Sequence, residues 1–196
     1  MSIKIYNGDL LLFRRGRGLI SRLISVAGRS EISHAGMAVW LDRRDCRRFS
    51  LESPGLYCAH TVEGRGGRLD LLADLVAERP GAIKLRKPGL KYDRRKAKAQ
   101  ILKIVGKPYG LWAVRRAMLI HLAIVRVVMF RWLWPFMAND GDNGTPPFCS
   151  MAVARVCRAA GLDPVPNLAD AWTEPGDLDR SAAFEDVAWL TPEDFQ

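Results

Sequence analysis

The sequence predicts an α+β fold: a small antiparallel sheet or barrel packed against helices, with a nucleophile presented at a helix N-terminus. Two short apolar runs bounded by glycine and charge, 10–13 and 35–41, have the length and burial pattern of strands. Helical spacing recurs between such runs, notably over 18–26 and 93–105. Downstream, Cys149 opens a helix-prone segment, Ser150-Met151-Ala152-Val153-Ala154-Arg155, that stops at Gly161.

Taken in order, Gly8-Asp9 leads into Leu10-Leu11-Leu12-Phe13, which reads as a buried strand. Residues 18–26 carry Leu19, Ile20, Leu23 and Ile24 at helical intervals, and Gly28 stops them. A second strand follows over 35–41. A third is expected at Phe49-Ser50-Leu51-Glu52, ended by Ser53-Pro54-Gly55. Residues 55–68 are turn-rich and left unassigned, and 69–76 reads as a short helix. Ala82-Ile83-Lys84-Leu85-Arg86 alternates as a half-exposed strand should. A charged helix over 93–105 closes at Gly106.

The block 111–136 is apolar over about the length of a membrane span, roughly 20 residues. Arg115, Arg116, Arg126 and Arg131 interrupt it, and each central arginine costs about 3 kcal/mol in a bilayer, which argues against a spanning helix. On a helical projection the arginines share one half. Met118, Leu122, Val125, Val128, Met129 and Trp132 occupy the other, a docking seam for the domain core, a partner protein or a membrane surface. Pro135 ends the helix, and a Gly/Asn/Asp/Pro loop over 138–147 delivers the chain to Cys149.

With 196 residues, one domain over 1–196 is the expectation, large enough for a core without disulfides. The net charge of +9 favours anionic partners: cell-wall polymer, membrane headgroups or nucleic acid. Nucleic acid is the weakest of these, because the basic residues are dispersed in small groups and no recognised binding motif accompanies them. None of the four cysteines, Cys46, Cys58, Cys149 and Cys157, forms a CxxC pair, so zinc has little support and no cofactor is expected. The first residues lack the apolar run of a signal peptide, so the expectation is cytoplasmic synthesis with free thiols.

Chemistry concentrates at two places. Ser33-His34-Ala35-Gly36-Met37-Ala38 puts a histidine at the head of a strand. Pro146-Pro147 cannot continue a helix backwards, so Cys149 sits in or beside a first turn, where unpaired N–H groups favour a thiolate and can hold an oxyanion. Cys149 and His34 therefore form a candidate nucleophile and base. The third member must orient the imidazole. If the strand ending at Glu52 runs antiparallel to 35–41, its end lies beside His34, so Glu52 ranks first and His60 second. Tyr109, in Gly106-Lys107-Pro108-Tyr109-Gly110, could donate to a substrate carbonyl, and the N–H groups around Cys149 and Ser150 complete the oxyanion site. Each residue also has a structural reading, as a buried hydrophobe, a satisfied core histidine or a capping aromatic. Cys46, Cys58 and Cys157 are better explained that way.

In order and spacing these segments resemble circularly permuted papain-fold cysteine hydrolases, rearranged relatives of NlpC-type cell-wall peptidases; lecithin:retinol acyltransferase-like enzymes belong to the same set. The resemblance runs from Gly8-Asp9-Leu10-Leu11-Leu12-Phe13 through Ser33-His34-Ala35-Gly36 and Leu51-Glu52 to Phe148-Cys149-Ser150. It implies a Cys149–His34–Glu52 triad on a papain-like scaffold, with Tyr109 near the oxyanion. The 111–136 helix and 138–147 loop depart from the pattern beside the presumed cleft. The expected function is hydrolysis of an amide bond in peptidoglycan stem peptides, with delivery to the wall as a phage- or tail-associated component. Two other readings stand beside it: an acyl hydrolase or acyltransferase acting at a membrane surface, and a silent docking module.

Overall fold

The computed structural model describes residues 3–16, 25, 29–110 and 147–195. The helix expected over 111–136 lies outside the described residues, as does its seam of Met118, Leu122, Val125, Val128, Met129 and Trp132. The loop before Cys149 and nearly all of the helix expected over 18–26 lie outside them as well.

Six strands form one antiparallel sheet: β1 (Leu10–Arg14), β2 (Ile32–Leu41), β3 (Gly55–Val62), β4 (Gly66–Leu71), β5 (Ile83–Pro88) and β6 (Phe184–Trp189). Their order across the sheet is β4-β3-β2-β1-β5-β6. Among the described residues the helices are α1 (Arg43–Phe49), α2 (Leu72–Glu78), α3 (Arg94–Ile104), α4 (Cys149–Ala159) and α5 (Pro175–Arg180). The fold is therefore α+β, as the sequence predicts.

Both faces of the sheet are covered, which is why β1 reads as an unbroken apolar run. Leu10 and Leu12 turn to one core with Met37, Val39, Ile101, Val153 and Val156. Leu11 and Phe13 turn to the other with Ala38, Cys58, Val76 and Leu85. Burying these side chains contributes about 25 cal/mol per Å² of apolar surface, so α4 is fixed to the sheet by the length of its apolar face.

The expected strand over 49–52 is a correction. Asp42 caps α1 by accepting from the N–H groups of Arg44 and Asp45, and Asp45 returns the contact to the Asp42 N–H. The helix takes up Phe49, and Ser50 follows in the left-handed conformation. The next strand is β3, in the stretch the sequence left unassigned. Residues 69–71 likewise finish β4 before α2 begins. At the other end of β4 two chain segments meet backbone to backbone. A Cβ at Gly67 would lie 2.2 Å from the Ile104 carbonyl oxygen, while Gly67 N–H donates to Lys107 O and Gly106 N–H to Gly67 O. That contact seats the turn before Tyr109 on β4. Asp93 caps α3 by accepting from the Arg95 and Lys96 amides.

Candidate active site

Three hairpin-connected strands bring the polar side chains together. Gly36 pairs with His60 between β2 and β3, and His60 with Arg68 between β3 and β4. Side chains alternate along each strand, so His34, His60, Arg68 and Asp70 share one face. A chain of hydrogen bonds results. His34 Nε2 lies 2.9 Å from His60 Nδ1, and His60 Nε2 lies 2.7 Å from Asp70 Oδ2. Arg68 donates to the other carboxylate oxygen of Asp70. Phe13 packs edge-on to His34 and stacked on His60, at 5.2 and 6.0 Å between centroids.

The roles of the ring nitrogens follow from the acid at the end. Asp70 is held below the usual carboxylate range: burial opposes ionisation, but the His60 and Arg68 bonds outweigh it. The ionised carboxylate only accepts, so His60 Nε2 carries a proton. Where His60 Nδ1 accepts from His34 Nε2–H, the lone pair of His34 falls on Nδ1. Burial, with His60 alongside, pushes the His34 pKa down to about 3, so its ring is neutral at neutral pH.

Cys149 is the first residue of α4, behind Phe148 in extended conformation. Burial pushes its thiol up, and amide hydrogen bonds from Ala35, Ser150 and Cys149 itself pull the other way without overcoming it. A helix N-terminus alone would lower this thiol; removal from water wins here. The bond to Ala35 places the sulfur one residue along β2 from His34, against main chain rather than against the imidazole. Ser150 is fully buried and donates its hydroxyl to Thr173 O at 2.7 Å, anchoring the start of α4. The Tyr109 phenol packs with Phe148, Cys149 and Trp172. Its pKa is raised by burial first, then by Cys149 and Glu63, so the hydroxyl remains a donor. A cavity of about 20 Å³, room for about one water, is walled by Cys149, His60 and Arg68 and otherwise by aliphatic side chains of α3, α4 and the sheet.

The structure gathers Cys149, Ser150 and Tyr109 around the start of α4, and Cys149 bonds the amide of Ala35, next in sequence to His34, whose ring lies with Phe13 and His60. Glu52 is not there. It is exposed, in the bend between α1 and β3, where Leu41 pairs with Gly55 at the far end of β2 from His34. The antiparallel argument that selected it holds, but the neighbouring strand is β3, and the residue beside the start of β2 is His60, ranked second from sequence. Asp70 and Arg68 were missed. Their signal was the alternation of Arg68-Leu69-Asp70-Leu71, which straddles the unassigned stretch and the segment read as helical. Cys58 and Cys157 are buried thiols whose pKa burial raises, and Cys46 donates to Ser53 O. They behave as small hydrophobes.

No family model matches the chain, and no curated protein matches it. Among solved structures it is similar to one described as the crystal structure of metalloprotein yiiX from Escherichia coli O157:H7, DUF1105, at 17% identity and a TM-score of 0.59, covering 97% of this chain and 100% of that one. At this identity the likeness speaks for the fold alone. In the present chain no group of three or more His, Cys, Asp or Glu side chains among the described residues is placed to hold a metal ion, and His60 spends both ring nitrogens on His34 and Asp70. No helix among the described residues is long and apolar enough to cross a membrane.

Proposed function

We propose that the protein is a cysteine hydrolase of papain-like, circularly permuted type that cleaves an amide bond, with peptidoglycan stem peptides as substrate. The observation that carries the reading is the hydrogen-bonded series Asp70–His60–His34. It ends on a neutral imidazole one residue from the bonded partner of the Cys149 sulfur. In the mechanism His34 Nδ1 takes the Cys149 proton, the thiolate attacks the amide carbonyl, and the imidazolium returns the proton to the departing amine. Water then hydrolyses the thioester with His34 as base. His60 orients His34 and Asp70 fixes the tautomer of both, the task the sequence had assigned to Glu52. Amides of the first turn of α4 and the Tyr109 hydroxyl receive the oxyanion. The sulfur turns from Ala35 toward His34 as substrate enters, since catalytic hydrogen bonds often tighten only in the complex.

The test is incubation of purified peptidoglycan fragments with the protein and with Cys149→Ala, followed by mass spectrometry of the products. New amine termini from the wild type and none from the variant support the reading; cleavage by both refutes it. A second reading keeps the same chemistry on a lipid ester, favoured by the aliphatic walls around Cys149. Release of fatty acid from vesicles, with fragments untouched, would select it.

A further inference from the structure

The end of the sheet opposite His34 carries an unusual surface. From His34 to Trp40 strand β2 runs about 20 Å, and the pairing of β1 with both β2 and β5 brings the ends of β2 and β5 to the same level. Trp40 is 48% exposed there, Tyr6 44%, and Leu90 fully exposed in the loop between β5 and α3. The Trp40 indole N–H is donated to Ile5 O at 2.8 Å, so what it shows to solvent is hydrocarbon. The Tyr6 ring is flanked by Lys87 and Arg94, at 5.6 and 5.0 Å from its centroid. Lys91, next to Leu90, is exposed, as is Arg95 in the first turn of α3. Of the acids nearby, Asp93 caps α3, Asp42 caps α1, and Glu185 pairs in register with Lys87 between β5 and β6.

We infer that this end docks on an anionic lipid bilayer, with Leu90 entering the acyl boundary, Trp40 and Tyr6 lying at headgroup level, and Lys87, Lys91 and Arg95 meeting the phosphates. Exposed aromatics and a bare aliphatic tip ringed by cations have the chemistry of an interfacial anchor. Leu90 decides between a bilayer and an anionic glycan: a sugar would stack on the rings and leave an isolated aliphatic tip without use. Docked this way, Cys149 faces away from the membrane, toward polymer rather than toward headgroups.

The experiment is flotation of the full chain with vesicles of equimolar phosphatidylglycerol and phosphatidylcholine, and with phosphatidylcholine alone. Binding is expected to the anionic vesicles and to weaken with salt. Leu90→Asp and Lys91→Glu should each reduce it, the former about tenfold or more, with unchanged thermal melting. Absence of binding, equal binding to neutral vesicles, or undiminished binding by both variants overturns the inference. So does a patch whose variants lose affinity for wall polymer but not for vesicles. Cys149→Ala should float like the wild type, so docking and catalysis fail independently.

Discussion

Replacing Asp70 with Asn keeps the shape of the side chain and removes the charge at the end of the histidine series. Hydrogen bonds of 2.7 and 2.9 Å, with the width of one imidazole between them, put His34 Nε2 about 8 Å from the carboxylate, where opposite charges attract by about 2 kcal/mol at an effective dielectric near 20. The thiolate–imidazolium state of Cys149 and His34 loses that stabilisation, about 30-fold in its population. Alkylation reads this state without any assumption about substrate, because only the thiolate reacts. The rate for the peptide containing Cys149 can be followed by mass spectrometry at neutral pH, with Cys157 in the same sample as reference. Asp70→Asn should slow Cys149 by about 30-fold and leave Cys157, which Asp70 does not influence, unchanged. An unaltered Cys149 rate in a normally folded variant would show that the carboxylate does not reach the thiol through the two rings.

Three further outcomes are expected. Glu52→Gln should leave cleavage of wall fragments unchanged, whereas His60→Ala should lower kcat by about a hundredfold; the reverse result would restore the acidic residue as orienting group. His34 is neutral in the fold down to about pH 3 but takes a proton near 6.5 when unfolded. The unfolded chain therefore binds more protons in that window, and the contribution to stability, complete above 6.5, is lost as pH falls toward 3 at about 1.4 kcal/mol per unit. Urea midpoints between neutral pH and about pH 5 should show this slope, and His34→Gln should flatten it. Gly67→Ala drives a methyl against the Ile104 carbonyl and should cost about 1–3 kcal/mol, or about 2–4 °C in Tm for each kcal/mol, measured by calorimetry.

What could be read from the chain was local chemistry. Pro147 before Cys149 and Gly161 after the helix mark α4 without tertiary information. Leu10-Leu11-Leu12-Phe13 announces a strand covered on both faces, and Asp93 with Gly106 brackets α3. Errors arose where a short polar segment had two local solutions. Residues 42–49 satisfy their amides through Asp42 and Asp45 as a helix, which displaced the third strand and with it the choice of Glu52. The start of α2 at Leu72 hid the strand that holds Arg68 and Asp70. Burial was invisible as well. A first-turn cysteine signals a lowered thiol pKa, and only the packing of Phe148, Met151 and Trp172 around Cys149 reverses the sign.

The order of the parts along the chain bears on how the protein comes into being. His34, His60 and Asp70 sit on consecutive hairpins, whose short-range contacts form early and can zip together while synthesis continues. The sulfur belongs to a helix encoded much later, and it docks on β2 only after β5 and α3 have emerged. A nascent chain therefore carries His34, His60 and Asp70 long before Cys149, and the proposed pairing of thiol and imidazole cannot form until the last quarter of the polypeptide is being made.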